Sequence, residues 1–192
     1  MNESLKDRLN KILDRIQSPA FLSNAGLGNE IGFYIFDYHP EDELIVREYV
    51  RFMLDTLAKK NPDLKIAHIN LFRLLINYLK DRGLYERALD IQKTQGDEAL
   101  SKVLKGPLHE EKIAKVFVEV AQPEKHDLVI MTGVGNVWPL FRSHTLLNNL
   151  HPFMKETPLV MFYPGVYDGQ DLRLFGRLND KPYYRAFRIV PR

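Results

Sequence analysis

Residues 127–150 hold the most suggestive local chemistry in this sequence. A short apolar run, His126 to Thr132, is followed by Gly133-Val-Gly-Asn-Val-Trp-Pro139 and then by a helical pattern opening at Leu140. Glycines placed after a strand let backbone N–H groups approach an anion at a helix N-terminus. A loop at the carboxyl end of a central strand is also where α/β proteins hold ligands. Neither phosphate-binding fingerprint is complete, however. Trp138 stands where the third glycine of a dinucleotide motif would fall, and no Lys follows Gly133 and Gly135 to reach phosphate oxygens. The simpler reading is a tight turn that lets Trp138 pack.

Arg142, Ser143 and His144 open the next helix, with Asn148 and Asn149 one to two turns on. Arg142 and Asn149 are seven residues apart and so share a helical face. Ser143 and His144 are neighbours that point in different directions, a poor arrangement for a nucleophile and its base. Their ordinary use is in caps and local hydrogen bonds. Asp37 closes an earlier strand, where a carboxylate could bind Mg²⁺ or activate water, and Asn29-Glu30 lies just ahead of that strand. Each of these also suits a turn or cap. The six histidines (His39, His68, His109, His126, His144 and His151) show no i,i+4 pair. With no cysteine in the chain, neither metal nor thiolate chemistry is expected. No cofactor is expected either.

The elements that must position these residues follow from periodicity. Helical spacing covers 3–17, 41–59, 71–81, 84–94, 97–121 (broken near Gly106-Pro107) and 140–150. On 41–59 the apolar face is read as Leu44, Ile45, Tyr49, Phe52, Met53 and Leu57. Strands are expected at 31–38, 64–70, 126–132 and 159–163, the last ending at Pro164-Gly165, with a fifth at the sheet edge over 183–190. Strands separated by helices imply right-handed βαβ units. The fold class is therefore α/β: a mainly parallel central sheet flanked by helices in three layers, a Rossmann-like or ATPase-like core without a P-loop. No boundary or repeat divides residues 1–192, which read as a single domain.

Composition excludes some classes. No run reaches the ~18 apolar residues of a membrane span, and the charged N-terminus has no signal core. The chain is expected in the cytoplasm, with no membrane partner. Net charge is +2, too weak to imply nucleic acid by itself, but residues 164–192 carry six cations against three anions. There Arg173, Phe175, Arg177, Tyr183, Tyr184, Arg185, Phe187 and Arg188 interleave cations with aromatics. Such a mixture could stack on nucleic acid, and it equally typifies protein interfaces, which the low net charge favours.

Four blocks carry a family resemblance: LSNAGLGNEIGFYIFDY (22–38), LVIMTGVGNVWPLFRSHTLLNNL (128–150), VMFYPGVY (160–167) and LRLFGRLNDKPYYRAFRIV (172–190). In this order they resemble the BrxB family of BREX bacteriophage-exclusion systems. The helical middle, about 84–121, carries little of the likeness. The resemblance implies work in phage defence beside a methyltransferase, a large ATPase and the phosphatase-like protein PglZ. It implies a non-catalytic interaction partner or scaffold among BREX proteins, PglZ first. It supplies no catalytic residues. The matching positions are motif residues of unassigned role, Gly26, Gly28, Asn29, Glu30, Gly133, Gly135, Arg142, Ser143, His144, Asn148, Asn149 and Arg177 among them. A degenerate nucleotide-binding domain and an accessory nucleic-acid binder are the alternatives.

Overall fold

FYIFDY is apolar at every position but one, and it forms a strand, β1 (Phe33–Tyr38), buried along its whole length. In the computed structural model, which describes residues 4–23, 32–179 and 186–191, period-2 alternation divides this strand between two cores. Phe33 and Ile35 pack with the helices of one face of the sheet, while Tyr34, Phe36 and Tyr38 pack with those of the other. A strand covered on both faces needs no polar side, which is why it reads as a continuous apolar run.

The strands β2 (Ile66–Asn70), β3 (Leu128–Thr132), β4 (Leu159–Tyr167) and β7 (Phe187–Arg188) join β1 in the order β2-β3-β4-β1-β7, every neighbouring pair parallel. Registers pair Asn70 with Thr132 and Asp37 with Tyr163, which brings the carboxyl ends of the strands to one edge. The first face is covered by α4 (Leu71–Asp81), α5 (Tyr85–Gln95), α6 (Asp97–Leu104), α7 (Glu110–Ala121) and α8 (Ser143–Met154). The second is covered by α1 (Leu5–Ile16), the short α2 (Pro19–Leu22) and α3 (Glu43–Lys60). The three-layer α/β architecture with a mainly parallel sheet is the one expected, and the helix break at Gly106-Pro107 falls between α6 and α7.

Four details depart from the sequence reading. On α3 the core takes Val46, Val50, Met53 and Leu57, whereas Leu44, Ile45 and Phe52 are exposed. Of the expected face, Met53 and Leu57 are buried and Tyr49 packs, partly buried, against the same core, so the packed stripe is rotated relative to the one read. The helix after β3 starts at Ser143 rather than Leu140, because Arg142 is extended (φ −114°, ψ 121°) and a 3-10 turn over Gly135–Val137 occupies the approach. It also continues through Pro152 to Met154, whose side chain is fully buried. Strand β4 does not stop at Pro164-Gly165. It changes partner there, from parallel pairing with β1 to antiparallel pairing with β5 (Leu172–Leu174), which in turn pairs with β6 (Leu178–Asn179). The Pro164 carbonyl accepts the Phe175 N–H at 2.9 Å. Within the described part of the expected strand over 183–190, only β7 is extended at the sheet edge; Tyr183, Tyr184 and Arg185 lie outside the described residues.

Candidate functional site

The loop after β3 is shaped by two close approaches. Gly133 has φ +71°, a left-handed conformation that costs other residues about 1–2 kcal/mol. A Cβ there would stand 2.6 Å from Asn70 Oδ1. Asn70 is held in place because that oxygen accepts the Arg73 N–H at 3.0 Å and caps α4. Gly135 lies against β4 and the β5–β6 turn, where a Cβ would come within 2.8 Å of Pro164 Cγ and 3.1 Å of Phe175 Cε1. The glycines of this loop thus let it pack against protein.

Beyond that packing, the chain turns outward. Trp138 is 44% exposed and stands edge-on to Phe175, with ring centroids 6.2 Å apart. Arg142 and Arg177 are exposed beside it, Arg142 from the extended residue before α8 and Arg177 from the β5–β6 turn. Together with Val134, Phe141 and Leu174 these side chains line a hollow of about 220 Å³ at the carboxyl edge of the sheet. An apolar floor with an aromatic wall and two guanidiniums at the rim suits an acidic or aromatic protein side chain.

The remaining sequence candidates go elsewhere. Asp37 is fully buried and bound within the fold: Oδ1 accepts Arg8 Nη2 at 2.9 Å and Oδ2 accepts the Tyr167 N–H at 3.1 Å. The carboxylate ties the N-terminal helix to the far half of β4. Ser143 and His144 are buried at the start of α8, with His144 Nε2 3.2 Å from Thr145 Oγ1. Asn149 donates to the Thr145 carbonyl at 2.8 Å, and Asn148 is exposed further along the helix. Because Arg142 is extended, it does not share a helical face with Asn149. Asn29, Glu30 and Arg185 lie outside the described residues.

The tail's cations are partly committed. Arg188 donates to the Tyr167 carbonyl, from Nε at 2.9 Å and also from Nη2. Arg173 pairs with Asp168 at 3.1 Å. The Asp168 carboxyl is held below the usual range, first by the Asp171 and Gln170 N–H groups and then by that cation. The Tyr167 hydroxyl donates to the Ala186 carbonyl at 2.7 Å, and burial pushes its pKa up to about 12. Burial, reinforced by Glu43, whose Oε2 accepts the hydroxyl at 2.6 Å, likewise raises Tyr38.

The sequence reading missed Arg47, Arg51 and Arg73, which meet at a second hollow on the same edge. The i,i+4 spacing of Arg47 and Arg51 on α3 was a usable signal. That Arg73 of α4 lines the same hollow was not legible.

The family described as BREX protein BrxB matches residues 67–189, from β2 to β7, and runs through the helical middle. The chain belongs to the BrxB family. It is 46% identical over 187 residues to the BREX protein BrxB of Escherichia coli O9:H4 (strain HS), covering 97% of this chain and 92% of that protein. It is 40% identical over 190 residues to the BREX protein BrxB of Bacillus cereus (strain H3081.97), covering 97% of each. No solved structure gives a significant match.

Proposed function

We propose that the chain is a non-catalytic component of a BREX phage-defence system, acting in the cytoplasm as an interaction partner or scaffold for other BREX proteins, PglZ first. The observation that carries this is the half-exposed Trp138, set edge-on to Phe175 and flanked by Arg142 and Arg177 at the sheet edge where α/β enzymes keep their chemistry. Tryptophan and arginine beside a partly desolvated hollow are the residue types that anchor protein interfaces. Two polar groups singled out from the sequence are engaged in holding the fold: Asp37 with Arg8 and Tyr167, and Asn149 with the Thr145 carbonyl. No helix among the described residues is long and apolar enough to cross a membrane.

The test is the mass of mixtures of the purified chain with PglZ, read by light scattering, alongside a pull-down from cells expressing the whole BREX system. A complex with PglZ that is lost with Trp138→Ala supports the reading. Absence of a complex with PglZ and with every other component overturns it.

A further inference from the structure

A second hollow, of about 570 Å³, opens between α3 and the start of α4, at the carboxyl ends of β2 and β3. Its volume is in the range of small-molecule sites. Three guanidiniums line it: Arg47 and Arg51, one turn apart on α3, and Arg73 in the first turn of α4. No carboxylate is among the described residues that line it. Arg47 is fixed: Nε donates to Glu43 Oε1 at 2.8 Å and Nη2 to Asn136 Oδ1 at 3.0 Å, so the β3–α8 loop braces it. Arg51 and Arg73 are exposed, and among the described residues neither has an ion pair within 4.0 Å. The adjoining groove along α4 and α7 does carry Asp81 and Glu119. It shares Arg73 and Asn70 but not Arg47 or Arg51, so the cationic excess belongs to this hollow.

Like charges facing one concavity repel one another, and the focused potential attracts an anion. Planar guanidiniums match phosphoryl oxygens in particular. The floor is polar and already ordered, with Asn70 capping α4 and packed over Gly133. The positive end of α4 adds to the same field.

We propose that this hollow binds a small phosphate-bearing ligand of the nucleotide or polyphosphate class, with Arg51 and Arg73 as the phosphate clamp and Arg47, its charge paired with Glu43, as a fixed donor wall. The site is separate from the Trp138 hollow, so partner binding and phosphate binding are tested independently.

The experiment is isothermal titration of the full chain with inorganic phosphate, pyrophosphate, ATP, adenosine and a short single-stranded DNA. The variants are Arg51→Glu and Arg73→Glu, with Lys93→Glu on the exposed side of α5 as a control of equal charge change. Pyrophosphate or ATP is expected to bind while adenosine does not. Each arginine variant should weaken binding about tenfold or more, as loss of one charge-assisted contact implies, and Lys93→Glu should leave it unchanged. Both arginines are exposed, and should one variant fail to fold the other carries the test. Absence of binding by every phosphate compound overturns the proposal. So does binding that survives both arginine variants, or binding seen with DNA but not with the small phosphates.

Discussion

Arg8 of the N-terminal helix and Asp37 at the end of β1 form an ion pair at 2.9 Å, their side chains 5% and 0% exposed. The guanidinium also lies 4.7 Å over the Phe36 ring and donates from Nε to the Pro191 carbonyl at 3.2 Å. One buried cation thus joins α1, the sheet and the carboxyl-terminal segment. Removing one member of such a pair leaves a desolvated charge, at a cost of about 3–5 kcal/mol. Asp37→Ala is expected to lower the unfolding free energy by that order in urea titrations. Arg8→Met together with Asp37→Ala should cost less than the sum of the single changes. Full additivity would dissociate the two residues energetically.

Gly133 provides a second check on stability. Its φ of +71° and the 2.6 Å approach of Asn70 to a would-be Cβ both oppose any side chain. Gly133→Ala should destabilise the protein by at least about 1–2 kcal/mol, the cost of a left-handed L-residue, before any steric contribution. Chemical denaturation measures this directly. An unchanged midpoint would mean that the turn is not held as described.

The corrected face of α3 makes a contrasting pair. Met53 is fully buried and Leu44 is 69% exposed. Met53→Ala should cost about 2–5 kcal/mol, whereas Leu44→Ser should stay within about 0.5 kcal/mol of the parent. A cost for Leu44→Ser as large as that for Met53→Ala would restore the face read from periodicity, which held both residues.

Alkaline pH should expose the buried phenols. Burial raises Tyr167 and Tyr49 to about 12 each, above the ordinary value of 10.0. The folded state therefore holds these protons more tightly than the unfolded state. Their contribution is fully present below pH 10 and is lost as pH rises towards 12. Urea midpoints should fall between those pH values, and less steeply in Tyr167→Phe. A parent curve flat over that window would contradict the assignment.

At the proposed partner surface, Trp138→Ala and Arg177→Glu should each weaken association by about tenfold or more while leaving the thermal midpoint within a few degrees. Both side chains are on the surface, so lost affinity with retained stability is the signature of an interface. Equal losses of both would instead mark a folding defect.

Much of the fold was legible because buried parallel strands leave strong apolar runs. IGFYIFDY, LKIAHIN and HDLVIMT each contain a strand of the sheet, and LVMFY is the first half of another. Element ends were less legible. Nothing local distinguishes a Pro-Gly pair that ends a strand from one at which the strand changes partner, as β4 does with β5. On α3, Leu44 and Val46 are similarly apolar, and only the angle at which the helix meets the sheet buries one and exposes the other.

The same division holds for the sites. By itself the sequence determined the family, the absence of a complete phosphate-binding motif, and the presence of a glycine turn directly after β3, since all three depend on residue types in order along the chain. Only the tertiary structure decided that Asp37 serves Arg8 and Tyr167, which lie 29 and 130 residues away. It likewise decided that Trp138 meets Phe175 and that Arg51 faces the same hollow as Arg73. Those outcomes depend on strand order and on which helices cover which face. They are set by the burial of the whole core, to which each local segment contributes only a part.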